Sequence, residues 1–402
     1  MSSTIPRIIQ LSQNVVDKIA AGEVVIRPVN AVKELVENSL DAGATEINVS
    51  IRAGGLELIK IQDNGHGINR EELSIACCRF TTSKLREFED LQKIQTFGFR
   101  GEALASISLV SNLIITSRTA NEICASKACY REGKLIGQIE RSAGLLGTTI
   151  CVEKLFQNMP SRLAAFRQPN EEAHRIADIL IRYSIHYPKI SFSYRRLDGN
   201  GYDFRTSGDG DQHSTIKRLL HEKASNGLTN LEFNNSSLHF SAKICLATPV
   251  AIFTSKAVQT RNVYFVNGRS VESFRLQKSF DSIFTSRDLL CPFASFSLLI
   301  DPQRVDVNIH PTKKLVYFLC EDDIIEFIGK KIRVDFLNRS LDEFVLTNED
   351  LNLRPNSSVR LSLLKKVAFE EENNEGENAL IQSENNVFLI NNNEILRQFF
   401  YQ

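Results

Sequence analysis

Residues 30–42 read NAVKELVENSLDA and are followed at once by Gly43. Apolar residues recur at helical spacing in this stretch, and a glycine directly after the last turn is a common helix terminator. The polar residues of the opposite face are Glu34, Glu37, Asn38 and Asp41. One interpretation is a solvated polar face. The other is that Glu34 and Asn38, four residues apart, point into one site, where a carboxylate deprotonates water and an amide oxygen binds Mg²⁺.

A β-hairpin is predicted directly after this helix. Apolar residues alternate over 47–51, two glycines at 54–55 form the turn, and a second strand returns over 56–62. The sequence DNGHG then begins at Asp63. Its glycines allow a backbone to approach a flat ligand, while the carboxylate accepts a hydrogen bond from an exocyclic amine such as that of adenine. An ordinary Asp-Asn-Gly turn is the alternative.

Glycine and hydroxyl residues dominate the next part of the chain. Residues 69–80 predict a helix, with Glu72 in the position of a capping box. After it, residues 96–104 read TFGFRGEAL and lead into an apolar helix. Glycines before a helix expose backbone amides where the helix dipole is positive, which favours an anion. A plain loop is the alternative, and the GxxxxGK[ST] phosphate loop is absent from the sequence.

Composition excludes several classes of protein. The 402 residues include 48 acidic and 48 basic side chains, so this is not a uniformly basic protein that coats nucleic acid. The sequence lacks an apolar run long enough to span a membrane and an apolar secretory core at its N-terminus. Its eight cysteines form no CxxC pair, which favours free thiols in a reducing compartment over disulfides or structural zinc.

Helical and strand periods both occur along the sequence, which indicates an α+β protein with two domains and a tail. The Gly- and Asp-rich stretch 197–212 is interpreted as a connection, followed by a helix over 270–284 and a strand over 293–300. The tail holds 11 acidic and 5 basic residues, which leaves 37 acidic and 43 basic residues before it. We expect that tail to be mostly mobile. The expected units are residues 1–211, 212–340 and 341–402.

Taken in order, these motifs resemble the Bergerat-fold (GHKL) ATPases, and within that class the MutL family of mismatch repair proteins. The segments that carry the resemblance are AAGEVVIRP (20–28), KELVENSLDAGAT (33–45), GFRGEALASIS (98–108), GTTICVEKLFQNMPSR (147–162) and VDVNIHPTK (305–313). Residues 79–91 are most similar to the eukaryotic subunit shared by several MutL heterodimers. The resemblance implies a Bergerat-fold ATPase sandwich followed by a ribosomal-protein-S5-like βαβ domain.

The resemblance also implies roles for residues at matching positions. Glu34 matches the general base for water, and Asn38 matches the Mg²⁺ ligand. Asp63 matches the acid that recognises adenine, and Gly67 matches a glycine close to the adenine ring. The remaining implied nucleotide-binding residues are Thr82, Ser83, Lys84, Arg100, Gly101, Glu102, Ala103, Leu104 and Thr148.

Two further implied site residues come from the second domain. Lys313 lies in the turn HPTKK and matches a lysine that contacts the γ-phosphate, with Lys314 as the competing choice. Arg269 lies in the sequence Asn267-Gly268-Arg269 and matches a segment associated with DNA contact. A plain surface turn is the alternative for Arg269.

The function implied by the resemblance is slow, Mg²⁺-dependent ATP hydrolysis that couples mismatch recognition to downstream repair in the nucleus. Implied partners are a MutL-family heterodimer partner, a MutS-type mismatch-recognition complex and DNA. Family members continue into a dimerisation domain, which in some is an endonuclease. This sequence ends at Gln402 without such a motif, so we expect neither constitutive dimerisation nor nuclease activity from it.

Two other functions stay open from the sequence. One is a non-hydrolysing scaffold gated by nucleotide, against which the presence of Glu34 argues. The other is a different Bergerat-fold machine, such as a chaperone or a topoisomerase. Two features argue against a chaperone or a topoisomerase. They are the MutL-type segments 147–162 and 305–313 and the missing catalytic tyrosine domain.

Overall fold

The alternating residues 46–63 form the central hairpin of a large sheet, as predicted. The structure is a computed structural model. It describes residues 8–85, 87, 96–199, 201–220, 227–251, 261–286, 289–306, 316–337, 378–383 and 386–391. The predicted α+β class is confirmed, because sheets and helices both contribute to each of two cores.

The first sheet has eight strands. They are β1 Glu46–Arg52, β2 Leu58–Asp63, β3 Asn112–Arg118, β4 Ala125–Arg131, β5 Lys134–Ser142, β6 Gly147–Glu153, β7 Ser191–Arg196 and β8 Phe204–Arg205. Their spatial order is β5-β4-β3-β6-β2-β1-β7-β8. All neighbours are antiparallel except β1 and β7. The 3₁₀ turn Ala53–Gly55 joins β1 to β2, and their register places Ile47 opposite Asp63.

Helices cover one face of this sheet. They are α1 Gln13–Val24, α2 Pro28–Asp41, α3 Ala103–Leu109, α4 Pro160–Ala165, α5 Pro169–His186 and α6 Gln212–Leu219. The buried residues Ile47, Val49 and Ile51 of β1 share one core with the apolar faces of α2 and α5. The helix predicted at residues 30–42 is confirmed as α2. It begins earlier than predicted because Pro28 occupies the first helical position, where a missing N–H costs little.

The helix predicted over residues 69–80 is wrong. The structure has only a 3₁₀ turn at Glu72–Ser74 in that stretch. The hydroxyl of Thr81 donates to the carbonyl oxygens of Ile75 at 3.0 Å and Cys78 at 2.7 Å. A side-chain hydroxyl that donates to a backbone carbonyl competes with the backbone hydrogen bonds of a helix, and here the Thr81 hydroxyl holds the chain in a turn.

The second sheet has the spatial order β13-β12-β15-β10-β9. Its strands are β9 Thr229–Asn235, β10 Phe240–Leu246, β12 Arg261–Val266, β13 Arg269–Val271 and β15 Phe293–Ile300. Short pairs join β11 Val250–Ala251 to β14 Leu289–Leu290 and β16 Val305–Asp306 to β17 Tyr317–Phe318. Helices α7 Phe274–Thr285 and α8 Glu321–Ile332 cover one face, and turns Pro302–Arg304 and Arg333–Leu337 complete the domain.

Two details of the second domain bear on the sequence analysis. The strand predicted over residues 293–300 is confirmed. The helix predicted from residue 270 begins at Phe274, because residues 269–271 pair with β12 instead. In the tail, β18 Asn378–Ser383 pairs with β19 Asn386–Asn391, a hairpin that the sequence analysis did not predict.

The two sheets meet through helix α5. Val263 and Phe265 of β12 are buried in the same core as the first sheet, whereas the alternate residue Tyr264 packs with α7 and α8. The ring of His186 lies parallel to that of Phe265 with centroids 3.8 Å apart. Within the described ranges, the helices lack the combination of length and apolar character needed to cross a bilayer.

Candidate active site

Helix α2 buries its polar stripe rather than exposing it. Glu34 is 7% exposed and Glu37 only 1%. The Oε1 atom of Glu37 accepts hydrogen bonds from Lys33 Nζ at 2.8 Å and from the Tyr183 hydroxyl at 2.7 Å. Burial, and secondly the Glu37 carboxylate, raise the pKa of Tyr183 well above its ordinary value, so the phenol keeps the proton that it donates. The solvated-face interpretation of this stripe is therefore wrong.

Asp63 joins three elements of the first domain. Its carboxylate is buried, and Oδ2 accepts a hydrogen bond from Ser39 Oγ on α2 at 2.9 Å. Its Oδ1 accepts from the backbone amides of Gly65 at 2.9 Å and of Thr148 on β6 at 3.2 Å. The sequence analysis missed Ser39, which lies among the apolar residues of the helix. A hydroxyl at a buried helical position was the signal that it needed a partner.

Thr148 belongs to a second hydroxyl pair beside Asp63. Its Oγ1 lies 2.9 Å from Ser117 Oγ on β3. Ser117 Oγ also accepts from the amide of Ile68 at 2.8 Å and lies 3.1 Å from the carbonyl oxygen of Gly147. Ser117 therefore holds the end of the DNGHG loop against the start of β6. Sequence reasoning missed it, because alternation along β3 shows which residues are buried but not what they contact.

Close backbone approaches explain two glycines of the site. Gly67 has φ +78°, and a Cβ atom there would lie 2.4 Å from the carbonyl oxygen of Arg118. Gly147 has φ +104°, and its Cβ would lie 2.2 Å from the carbonyl oxygen of Asp63. Both positions combine a backbone conformation that side chains disfavour with a contact that leaves no room for one.

Lys84 is the one of the three predicted loop residues that reaches α2 in the described structure. Its Nζ lies 3.0 Å from Asn38 Oδ1 and 2.5 Å from Asp41 Oδ2. Thr82 and Ser83 are exposed. The Thr82 hydroxyl accepts a hydrogen bond from the Lys84 amide at 3.1 Å, which shapes the loop around the lysine.

The 96–104 segment starts beside the C-terminal turn of α2. Asp41 Oδ1 accepts from the Phe97 amide at 2.9 Å, and Oδ2 accepts from the Gly98 amide at 3.0 Å. Further along, Gly101 has φ +63°, and a Cβ there would lie 2.4 Å from the Thr81 carbonyl oxygen. The segment is therefore held between α2 and the loop that begins at residue 81.

The other predicted residues of this segment lie at the start of α3. The Arg100 guanidinium lies over the Phe99 ring, 5.5 Å from its centroid. Glu102 is the N-terminal cap of α3, which starts at Ala103 and includes Leu104. The Glu102 carboxylate lies 3.4 Å from the Arg79 guanidinium. Contact of these residues with a nucleotide stays a prediction.

The second-domain residues have different outcomes. Lys313 and the competing Lys314 lie outside the described residues. Arg269 is 5% exposed, and its guanidinium donates to the carbonyl oxygens of Thr96 at 2.7 Å and Phe97 at 3.0 Å. The surface-turn alternative for Arg269 is wrong, because the side chain is buried against the first domain. Its contact with DNA stays a prediction.

Two protein families match the chain, one over part of the first domain and one over the second domain. Residues 26–134 match the family of histidine kinase-, DNA gyrase B- and HSP90-like ATPases. Residues 216–336 match the C-terminal domain of DNA mismatch repair proteins. The first domain is thus an ATPase domain of the GHKL class, joined to a mismatch-repair domain.

Similar proteins narrow this class to one family. The chain is 40% identical over 335 residues to the DNA mismatch repair protein MLH1 of Saccharomyces cerevisiae, covering 82% of this chain and 43% of that protein. It is 37% identical over 348 residues to MutL of Lactococcus lactis subsp. cremoris, covering 86% and 51%. A crystal structure of the N-terminal domain of a DNA repair protein, 26% identical, has a TM-score of 0.68 and covers 81% of this chain and 98% of that one.

The chain therefore belongs to the MutL family of DNA mismatch repair proteins, and the resemblance seen in its motifs is confirmed. It spans about half the length of the curated relatives that it matches.

Gly147→Ala should disturb the backbone at Asp63. An L-residue in the left-handed region costs about 1–2 kcal/mol, and the new Cβ would also displace the Asp63 carbonyl. We expect a loss of unfolding free energy larger than that backbone cost alone, measured by urea denaturation. The matched control is Gly137→Ala, where φ is +73° and a Cβ meets no atom within 4 Å. Equal losses in the two variants would contradict a close approach at Gly147.

Proposed function

We propose that this chain binds ATP with Mg²⁺, hydrolyses it slowly, and uses its nucleotide state to couple mismatch recognition in DNA to downstream repair factors. The observation that carries the proposal is the 2.9 Å hydrogen bond from Ser39 Oγ to Asp63 Oδ2. It ties the carboxylate proposed to read adenine to the helix that bears Glu34 and Asn38. This hydrogen bond therefore fixes the relative positions of the groups proposed to bind adenine, the metal and water.

Each proposed role follows from the chemistry of the side chain. Glu34 accepts a proton from the attacking water, a role for which a buried carboxylate is suited. Asp63 accepts a hydrogen bond from the exocyclic amine of adenine, in addition to its three protein donors. A carboxylate has about four acceptor positions, so one more donor is compatible with the three described here.

Asn38 fits the proposed Mg²⁺ ligand. Its Oδ1 faces a cation in this structure, because it accepts from the Lys84 ammonium at 3.0 Å. A neutral amide oxygen is a ligand that hard divalent cations accept. When bound, Mg²⁺ neutralises charge on the phosphate oxygens of the nucleotide. The other proposed nucleotide-binding residues are Gly67, Thr82, Ser83, Lys84, Arg100, Gly101, Glu102, Ala103, Leu104 and Thr148.

The wider function is a proposal supported by the family. Proposed partners are a second MutL-family subunit, a MutS-type mismatch-recognition complex and DNA, and the proposed location is the nucleus. Similarity to MLH1 of Saccharomyces cerevisiae and Mlh1 of Dictyostelium discoideum supports a eukaryotic setting. The proposed division into residues 1–211, 212–340 and 341–402 is supported by separate sheets on either side of residue 211, while helix α6, just after that boundary, packs in the first core.

Replacing Glu34 should separate binding from hydrolysis. A positioned general base contributes about 10²–10⁴ in rate, while it makes little contact with the nucleotide itself. Glu34→Gln should therefore keep ATP affinity, measured by calorimetry, and lose phosphate release by that factor. Glu71→Ala, at an exposed glutamate, is the control. Wild-type turnover in Glu34→Gln would show that Glu34 is not the general base. Absence of turnover in the unmodified chain would favour the alternative function, a non-hydrolysing scaffold.

Asp63→Asn should retain the fold and lose adenine recognition. The amide oxygen can take over the two backbone donors, and its NH₂ can donate to Ser39 Oγ, which is able to accept. The adenine amine would then lack its acceptor, at about 1–3 kcal/mol for an unmatched buried donor. ATP affinity should fall about tenfold or more, and preference over GTP should decline. Ser39→Ala, which keeps the carboxylate, should have the smaller effect; wild-type affinity in Asp63→Asn would refute the assignment.

Lys313→Ala should lower turnover strongly and leave ADP affinity nearly unchanged. A positioned cation stabilises charge on the transferred phosphoryl group, and ADP lacks the γ-phosphate that the lysine is proposed to contact. Steady-state phosphate release and ADP titration measure the two effects. Lys314→Ala is the matched control and should change neither. Small, equal effects of both substitutions would contradict the choice of Lys313.

A further inference from the structure

The turn between β12 and β13 is fixed to both domains. Asn267 and Gly268 have φ +49° and +77°, as in a two-residue hairpin turn with both central residues left-handed. The Asn267 side chain donates to the Ile300 carbonyl at 2.9 Å and accepts from the Ile300 amide at 2.8 Å, which ties the turn to β15. On the other side, the Tyr187 hydroxyl donates to the Gly268 carbonyl at 3.1 Å. The residue after this turn is therefore held in a defined position.

Arg269 follows the turn and directs its guanidinium at the 96–104 segment. Nη2 donates to the Thr96 carbonyl at 2.7 Å, and Nη1 donates to the Phe97 carbonyl at 3.0 Å. The rings of Phe97 and Phe99 each lie 5.9 Å from the guanidinium carbon. A planar fork with two donors suits two successive carbonyl groups, whereas a lysine ammonium has no such fixed pair.

Asp41 holds the same two peptide groups from the opposite side. In the peptide between residues 96 and 97, Arg269 binds the C=O and Asp41 Oδ1 binds the N–H. In the next peptide, Arg269 again binds the C=O and Asp41 Oδ2 binds the N–H. Each peptide dipole thus lies between a cation and an anion in its favourable orientation, and charge-assisted hydrogen bonds are the stronger kind.

We infer that Arg269 is a positioning residue through which the second domain holds the 96–98 backbone against helix α2. The inference deepens the proposed nucleotide function, because the 96–104 segment is the one proposed to contact the phosphates. Arg269 itself touches backbone carbonyls rather than nucleotide or DNA.

This arrangement links the position of the 96–98 backbone to the position of the second domain. If the two peptides between them move away, the buried guanidinium of Arg269 loses both of these hydrogen bonds, and the buried carboxylate of Asp41 keeps only its contact with Lys84. Displacing the 96–98 backbone therefore favours a shift of the β12–β13 turn, and a shift of that turn releases the backbone. Coupling of this kind is reciprocal, so a ligand that moves either side changes the other.

Hydrogen exchange of the nucleotide-free, full chain tests the inference without hydrolysis. Arg269→Ala should speed deuterium uptake in peptide 96–104 by about tenfold or more, because the charged hydrogen bonds that hold it are lost. Arg269→Lys keeps the charge and the stem and should restore only part of the protection. The control is Arg275→Ala in the same domain, whose exposed guanidinium pairs with Glu321 and Asp322. It should leave peptide 96–104 at the wild-type rate.

Asp41→Asn supplies the reciprocal measurement. Its side chain lies on α2, yet it should raise uptake in peptide 261–271 of the second domain as well as in 96–104, because Arg269 would lose fixed acceptors. A residue that merely stabilises its own domain would not transmit this change. Uptake in the core strand 293–300 should stay at the wild-type rate, which separates local release from general unfolding.

Three outcomes would overturn the inference. The first is wild-type uptake at 96–104 in both Arg269 variants. The second is increased uptake spread equally over 96–104 and 293–300. The third is a reduced salt dependence of DNA binding in Arg269→Ala with unchanged uptake at 96–104, which would make Arg269 a DNA contact. Failure of ATP hydrolysis in the unmodified chain would instead overturn the proposed function, since these exchange measurements contain no nucleotide.

Discussion

Polar side chains on the buried side of helix α2 must find hydrogen-bond partners, and this requirement organises the rest of the molecule. An unsatisfied buried polar group costs about 1–3 kcal/mol, so a helix that buries several of them specifies its surroundings. Glu37 takes the hydroxyl of Tyr183 from α5. Ser39 takes the carboxylate of Asp63 from β2. Asp41 takes two backbone amides of the 96–104 segment. The hydrogen bonds that satisfy the buried polar side chains of α2 therefore also bring the residues of the proposed nucleotide site together around the helix.

Helix α5 extends this organisation to the second domain. Tyr183 donates to Glu37, and its ring meets that of Phe265 edge-on, with centroids 5.7 Å apart. The ring of His186, one turn further along α5, is stacked on the ring of Phe265. Burial lowers the pKa of His186 to about 3, so at neutral pH the imidazole is uncharged and packs as an aromatic ring. The helix that completes the polar network of α2 is thus also the apolar support of the second sheet.

Local sequence patterns predicted the elements whose causes are local. Helix α2, the β1–β2 hairpin and strand β15 follow from periodicity and turn residues within their own stretches. The 69–80 helix failed because the Thr81 hydroxyl takes carbonyl groups that a helix needs. The surface-turn interpretation of Arg269 failed for a different reason. An Asn-Gly-Arg sequence predicts a turn correctly, but whether a turn is exposed depends on what packs against it.

The residues of the candidate site fall into two groups in the same way. Some have side chains suited to act on a nucleotide, and others hold neighbouring side chains in place. Motif matching selects Glu34, Asn38 and Asp63, whose side chains are suited to act on a nucleotide. It does not select Ser39, which holds Asp63, or Tyr183, which holds Glu37 on the same helix. Their partners lie 24 and 146 residues away in the sequence, and a serine among apolar residues gives no indication of its partner. Supporting contacts of this kind become visible only when the fold brings distant elements together.

The proposed site has charged side chains of its own at the positions where the charges of the ligand are expected. Lys84 places an ammonium on Asn38 Oδ1, the oxygen proposed for Mg²⁺. Asp41 places a carboxylate on the amides of Phe97 and Gly98, in the segment proposed to wrap the phosphates. A bound cation and a bound polyanion must therefore exchange with these internal partners or coexist with them. Because Asp41 also accepts from Lys84 at 2.5 Å, both exchanges involve one carboxylate at the end of α2. Arg269 holds the opposite side of the same peptides, so an exchange at Asp41 acts on the second domain through backbone rather than through side chains.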